Sequence, residues 1–325
     1  MAAKPSMREL RDRAVIRPVK RAVEDELLDL PEVTGVDIGP KRRAGRAGEQ
    51  GIVVQVARKL PLDRLPRGGC VPDEVLGIPT DVVEERPLLQ HIHRAPDEPP
   101  VGGGCCAAGV LRGGTGIAPR RPVRLEAGEF RRVGTLGVLV TGDLAEPMGL
   151  TTFDVGCLDD AWSVGDRMVD PVRGLEHAEL ARAALSGRVD AAAVRIVADV
   201  PTTPEIAELG PVAGRGRAYP GARVRKRGFG TGLARATVAS LDATVRLDHG
   251  TALGVRVLRE QLRITGAGYC GPGDSGAAVL DDAGRVVGLH VAGTADGAVG
   301  YATPINDVLA ELDLRLDPSE HSASV

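Results

Sequence analysis

The chain has 325 residues, of which 43% are hydrophobic and 26% charged, and its formal net charge is −3. These values are typical of an ordinary soluble protein of about two domains, and they give no electrostatic reason to expect nucleic acid or a membrane as a partner. No run of about 18 apolar residues predicts a membrane span. Aromatic residues make up only 2% of the chain while 43 residues are glycine, which favours many short strands joined by turns.

The N-terminal part is expected to form a small α+β domain over residues 1–90. Apolar positions recur at helical spacing over residues 7–30, which predicts a helix ending before Pro31. Three β-rich runs follow, VTGVDIGPK, GIVVQVARKL and IPTDVVEE. PLDRLPRG, between the second and third runs, is predicted to be a short helical turn or a loop.

Residues 91–128 are rich in Pro and Gly and lack apolar periodicity, so we expect a linker there. His91 and His93 are two residues apart and have no third metal ligand nearby, so we interpret them as exposed loop residues. Cys105 and Cys106 lie in GGGCCAAG and could be redox-active, although we interpret them as incidental.

Short strands separated by turns predict a sandwich or barrel over residues 129–315. Within it, LARAALSG, residues 180–187, is expected to be one helical turn. RVRKRG, residues 223–228, is expected to be a solvated strand and turn. INDVLAELDL predicts a closing helix, and residues 316–325 are expected to be a polar, disordered tail.

The five cysteines are odd in number and form no C-x-x-C pair, and the N-terminus has no apolar signal segment. We therefore expect reduced thiols, a cytoplasmic location, no metal and no cofactor. Cys157 and Cys270 flank the two site motifs of the chain. They are interpreted as buried free thiols, with a disulfide as the alternative if the fold brings them together.

The segment CGPGDSGAAVL, residues 270–280, places Ser275 in a Gly-Asp-Ser-Gly turn before an apolar strand. A serine hydroxyl becomes nucleophilic only when a neighbouring base takes its proton. The strand, turn, strand and helix that follow the turn resemble the C-terminal barrel of trypsin-like (chymotrypsin-fold) serine proteases. The resemblance implies an oxyanion hole made by the N–H groups of Gly273 and Ser275. It also implies a peptide-binding strand edge formed by Val291, Ala292 and Gly293.

The upstream half resembles the same family, so the expected fold is mainly β, a trypsin-like double β-barrel with a small N-terminal α+β domain. GTLGVLV is similar to the first barrel strand, and MGLTTFDVGC, residues 148–157, lies where the family has Leu-Thr-x-x-His-Val. Asp154 thus stands at the position of the family's histidine. GRVDAAAVRI implies that Asp190 has the role of the orienting aspartate. The resemblance covers residues 30–315 and extends to bacterial two-domain members with phrases like VTGVDIG and KLPLDRLP.

The aspartate at position 154 bears on activity. A carboxylate with a pKa of about 3.9 is a much weaker base at neutral pH than an imidazole. Asp154 beside Asp190 is expected to raise the pKa of one carboxyl or to attract a cation, but two ligands are too few to predict a metal site. His290 is the candidate for a rescue base, with a structural role as the alternative. His249, His177 and His321 are expected to lie at the surface.

Three functions remain open from the sequence. The leading hypothesis is a protease-fold protein that has impaired or lost hydrolysis and retains a cleft for a peptide or protein. The second is an active serine endopeptidase with an unusual base, either Asp154 acting through water or His290. The third is a non-catalytic scaffold that forms a homo-oligomer through residues 1–90.

Overall fold

The computed structural model describes residues 6–43, 46–95 and 110–316. The N-terminal helix and strands are α1 (Met7–Leu28), β1 (Val33–Arg43), β2 (Arg46–Val56), a 3-10 turn at Leu62–Arg64, β3 (Glu74–Val75), β4 (Ile78–Glu84), β5 (Leu88–Leu89) and β6 (Ile92–Arg94). A capping box between Ser6 and Glu9 starts α1. The first four strands form a sheet in the order β1-β2-β4-β3. Val36 and Ile38, two apart on β1, cluster with apolar residues of α1, as a sheet with one buried face requires.

The first barrel is a ring of antiparallel strands. The chain before the barrel forms β7 (Leu111–Gly113). The elements that follow are β8 (Thr115–Pro119), β9 (Val123–Leu125), β10 (Gly128–Leu136), β11 (Leu139–Thr141), β12 (Pro147–Thr151), α2 (Phe153–Cys157), β13 (Arg167–Val169), β14 (Glu176–Leu185) and β15 (Asp190–Ile196). The order is β11-β12-β15-β14-β13-β8-β10. The ring closes because Gly137 donates to the Leu150 carbonyl and the Leu150 N–H donates to Val138, which joins β10 and β11 to β12.

The second barrel carries the Gly-Asp-Ser-Gly turn. The remaining elements are β16 (Thr202–Ile206), β17 (Gly210–Pro211), β18 (Arg223–Gly228), β19 (Gly232–Asp248), β20 (Val255–Thr265), β21 (Ala278–Asp281), β22 (Val286–Gly293), β23 (Val299–Pro304) and α3 (Ile305–Glu311). The barrel runs β18-β21-β22-β23-β20-β19, and β19 pairs back with β18. β17, β16 and β7 form a separate three-stranded sheet.

The N-terminal unit is joined to both barrels by strand pairing. β1 pairs with β19, so the N-terminal sheet continues into the second barrel. β5 pairs with β22 of the second barrel, and β6 pairs with β10 of the first. The chain from β4 to β6 therefore passes between the two barrels, next to the turn that carries Ser275.

The predicted fold class is confirmed, since the protein is mainly β with two barrels and a small N-terminal helix-and-sheet unit. The helical turn expected at residues 180–187 is wrong, because this segment lies in or beside β14, which pairs along its length with β15. The expected linker, residues 91–128, contains β6, β7, β8 and β9, and its residues 96–109 lie outside the described part. The proposed domain boundaries stay predictions. Among the described residues, no helix is both long and apolar enough to cross a membrane.

Candidate functional site between the two barrels

Ser275 lies in the turn between β20 and β21. Gly273 and Gly276 have φ angles of +97° and +96°, a region that favours glycine, so this sequence allows the chain to turn sharply. The N–H groups of Gly273 and Ser275 both donate to the carbonyl oxygen of Gln90, at 2.5 and 3.3 Å. The Ser275 hydroxyl donates to the Val291 carbonyl at 3.0 Å and accepts from the Gln90 N–H at 3.0 Å. Two donors thus converge on one peptide carbonyl, while the serine proton points to another carbonyl.

A buried ion pair holds this turn in place. The carboxylate of Asp274 accepts from Lys226 Nζ, and both side chains are 0% exposed. Asp274 also accepts from the N–H and hydroxyl of Thr231 and from the N–H of Gly271. Burial by itself would raise the pKa of Asp274, but the charge of Lys226, the charge of His290 and the hydrogen bonds from Lys226 and Thr231 together hold this pKa below its usual value. The expectation that the RVRKRG run is solvated is therefore wrong for Lys226, whose side chain is buried in the barrel and paired with Asp274.

Asp154 lies in α2 and its side chain is only 1% exposed. Its Oδ2 atom lies 2.7 Å from Nδ1 of His91, and its Oδ1 atom lies 3.1 Å from Nη1 of Arg132. Burial would raise the pKa of Asp154, but the charge and hydrogen bond of His91 and the charge of Arg132 lower it to about 2. The expected rise of a carboxyl pKa is thus wrong for Asp154, because basic groups of this chain lie against it. The expectation that His91 is exposed is also wrong, since its side chain is 17% exposed.

Asp190 begins β15 and binds a different histidine. Its Oδ1 atom accepts from the N–H of Phe153 at 2.8 Å, which ties β15 to the start of α2. Its Oδ2 atom lies 2.8 Å from Nε2 of His249. Burial would lower the pKa of His249, but the hydrogen bond and charge of Asp190 raise it above its usual value. His249 is 4% exposed, so the surface position expected for it is wrong. The carboxylate of Asp190 pairs with it because a buried charge needs a partner.

The strand edge at residues 291–293 is occupied by the chain's own β5. Leu89 lies opposite Ala292 and Leu88 lies opposite Gly293 in an antiparallel register. Gln90 follows directly and is 3% exposed, with its carbonyl at the turn of Ser275. The structure therefore brings the turn and this edge together around one extended peptide.

Among the described residues, no histidine has a hydrogen bond to the Ser275 hydroxyl, whose partners are Gln90 and Val291. His290 is 0% exposed, and neither of its ring nitrogens has a hydrogen-bond partner among the described residues. Burial, and then the charge of Lys226, lower the pKa of His290 to about 3. Burial and its charged neighbours lower the pKa of His93 to about 4. His177 lies in β14 and is 6% exposed, so its expected surface position is wrong, while His321 lies outside the described residues.

The cysteines that flank the site are free and buried. Burial raises the pKa of the Cys157 thiol well above its usual value and that of Cys270 to about 12, so neither is a ready thiolate near neutral pH. Cys105 and Cys106 lie outside the described residues. Within the described ranges, no group of three or more His, Cys, Asp or Glu side chains is placed to hold a metal ion.

The structure brings together the predicted residues Gly273 and Ser275 with the 291–293 edge, and it ties Asp190 to the helix of Asp154. Sequence reasoning missed Gln90, Arg132 and the ion pair of Lys226. The only signal for Gln90 is that it lies five residues after the end of the β-rich run IPTDVVEE, and such a position is typical of any surface loop. Which cleft a loop enters depends on strand pairings that are distant in sequence.

Several solved protease structures are similar to this chain. Thermobifida fusca protease A is 24% identical over 64% of this chain and 99% of its own, with a TM-score of 0.49. A Cellulomonas bogoriensis chymotrypsin is 24% identical over 64% and 98%, with a TM-score of 0.47. A Nocardiopsis protease is 22% identical over 57% and 93%, with a TM-score of 0.46. No protein-family model and no curated protein matches the chain.

Proposed function

We propose that this chain is a trypsin-like serine peptidase family protein whose cleft binds an extended peptide and whose hydrolysis is impaired or lost. One observation carries the proposal. The N–H groups of Gly273 and Ser275 hold a peptide carbonyl, while the Ser275 hydroxyl donates to the carbonyl of Val291 instead of to a base. The cleft thus has the backbone donors that peptide binding needs, and among the described residues the serine hydroxyl donates to no base of the kind that acyl transfer needs.

The candidate bases support this reading. Asp154 has a pKa of about 2 and is engaged by His91 and Arg132, so at neutral pH it is a very weak proton acceptor. His290 has a pKa of about 3 and has no hydrogen bond from its ring to any described residue. Loss of one member of a catalytic triad leaves only about 10³–10⁴-fold catalysis over water, which comes from binding and the oxyanion hole.

The test measures two reactions of the purified full-length protein. Labelling by a fluorophosphonate reports whether Ser275 is nucleophilic, and casein cleavage reports turnover, each against the Ser275→Ala variant. We expect no stoichiometric labelling and no cleavage above the variant. The same assays on Gln90→Ala/His91→Ala, which loosens the segment that fills the cleft, separate absent chemistry from a blocked cleft.

Stoichiometric labelling at Ser275 together with Ser275-dependent cleavage, in either protein, would contradict the proposal and favour an active endopeptidase. The effect of Asp154→Asn or His290→Asn on that turnover would then identify the base. The scaffold hypothesis predicts oligomers in light scattering that disappear when residues 1–90 are deleted.

A further inference from the structure

The cleft of this protein already contains a peptide, and the peptide is part of the chain. Residues 88 and 89 pair antiparallel with the edge of β22. Gln90 then gives its carbonyl to the N–H groups of Gly273 and Ser275 and its N–H to the serine hydroxyl. His91 follows, with Nδ1 2.7 Å from Asp154. These contacts engage both the backbone and the side chains of the segment, as a bound ligand would.

The side chain of Gln90 is buried beside Gly293. A Cβ atom on Gly293 would lie 3.3 Å from Cδ of Gln90 and 2.4 Å from Sγ of Cys270, so only glycine leaves room for this packing. The atoms next to this side chain are the backbone of Gly293 and the thiol of Cys270. The Oε1 atom of Gln90 is buried without a hydrogen-bond partner among the described residues. A charged side chain would be still more costly here, because a buried charge needs a partner.

The segment is anchored on both sides. Upstream, the Glu85 carboxylate accepts from Arg263, Gln55 and Tyr301, and the Glu85 carbonyl accepts from Thr34 at 2.6 Å. Downstream, β6 pairs with β10 of the first barrel over three residues. Because both ends are fixed within a few residues of the cleft, the segment competes with any diffusing peptide at a high effective concentration.

We propose that residues 88–91, Leu-Leu-Gln-His, are an intramolecular pseudosubstrate that keeps the cleft closed and marks the class of ligand that it takes. That ligand is an extended peptide or protein segment with aliphatic residues before an uncharged amide side chain. Such a ligand binds only when the internal segment is displaced. The apparent affinity of the ligand is therefore its intrinsic affinity multiplied by the fraction of molecules in which the cleft is open. The inference rests on the proposed function, since it assigns the regulation and ligand of the same cleft.

The test compares three full-length proteins: the natural chain, Gln90→Ala/His91→Ala, and the control Arg86→Ala. The variant removes the buried Gln90 side chain and the imidazole that contacts Asp154. Arg86 belongs to the same segment, and its side chain is exposed. The probe is a fluorescein-labelled peptide of residues 86–92, RPLLQHI, and a scrambled peptide of the same composition is its control.

We expect the dissociation constant of the probe, measured by fluorescence anisotropy, to fall at least about tenfold in Gln90→Ala/His91→Ala and to be unchanged in Arg86→Ala. Hydrogen exchange at the amides of Gly273 and Ser275 should become faster in the double variant and slow again when the probe is added. This second measurement reads the opening of the cleft directly in the folded protein.

Equal affinity in all three proteins would overturn the proposal, as would unchanged exchange at Gly273 and Ser275 in the double variant. Fast exchange at these amides without binding of the probe would overturn the assignment of the ligand. These failures can be distinguished from a failure of the proposed function. The proposed function fails if Ser275-dependent turnover is observed, and that result does not depend on whether the probe binds.

Discussion

Replacing Lys226 by methionine tests whether a buried charge pair holds the turn that carries the serine. Lys226 and Asp274 are both 0% exposed, and methionine keeps most of the volume of the lysine stem without its charge. The variant leaves the Asp274 carboxylate buried without a counter-charge. Removing one partner of such a pair costs about 3–5 kcal/mol of unfolding free energy. Three donors from Thr231 and Gly271 remain on Asp274, so we expect the lower end of that range.

The assay is urea unfolding of the natural chain, Lys226→Met and Lys226→Met/Asp274→Asn. The double variant should recover part of the unfolding free energy that Lys226→Met loses, because it no longer buries an unpaired carboxylate. Lys59→Met is the matched control, since Lys59 is exposed, and its effect should stay within about 0.5 kcal/mol.

The pH dependence gives an independent check. The pKa of Asp274 is lowered in the folded protein, so its contribution to stability is present above the unfolded value of about 3.9 and is lost as the pH falls through the lower folded value. Lys226→Met removes the group that lowers this pKa. The gap in stability between the natural chain and the variant should therefore narrow below about pH 4. If Lys226→Met lowers the unfolding free energy by less than about 1 kcal/mol at neutral pH, the reasoning is refuted. Such a result would mean that the hydrogen-bond donors left on Asp274 compensate its buried charge.

Two further predictions concern the neighbouring parts of the site. His249 has a raised pKa in the folded protein, so its contribution to stability is complete below its unfolded pKa of about 6.5 and is lost as the pH rises through the folded value. Urea unfolding midpoints should show this loss in the natural chain and not in Asp190→Asn. Gly273→Ala places a Cβ at a φ of +97° and 3.1 Å from Gly230, so we expect a loss of about 1–3 kcal/mol, measured by the same assay. Gly268→Ala, at a φ of +61° in open space, should cost less, and equal losses would mean that crowding at Gly230 has no effect.

Local signals in the sequence were sufficient for the elements and for the turn. Apolar spacing predicted α1, and alternating runs predicted the strands of the N-terminal sheet, because both patterns follow from the periodicity of a single element. The Gly-Asp-Ser-Gly sequence indicated a sharp turn because two of its residues must adopt positive φ angles. Two segments were exceptions. LARAALSG has a composition suited to a helix, yet most of it lies in β14, which pairs with β15. Residues 91–128 have the composition of a linker, yet they contain β6, β7, β8 and β9.

The partners of the buried charges could not be read from the sequence. Lys226 and Asp274 are 48 residues apart, and His91 and Asp154 are 63 apart. A run of basic residues is usually solvated, and a histidine in a Gly- and Pro-rich stretch usually lies at the surface, so local context pointed away from both pairs. Only the folded barrels bring these charges together, where burial makes an unpaired charge too costly to keep.

The sequence by itself determined that the chain is mainly β, that Ser275 lies on a glycine turn, and that an aspartate stands at position 154. These facts depend on residues within a few positions of one another. Only the tertiary structure decided that His249 pairs with Asp190, that His91 lies against Asp154, and that the Gln90 carbonyl accepts from the turn of Ser275. The physical reason is that these contacts join residues far apart in sequence, and the strand edges that pair with β5 and β6 exist only in the folded barrels.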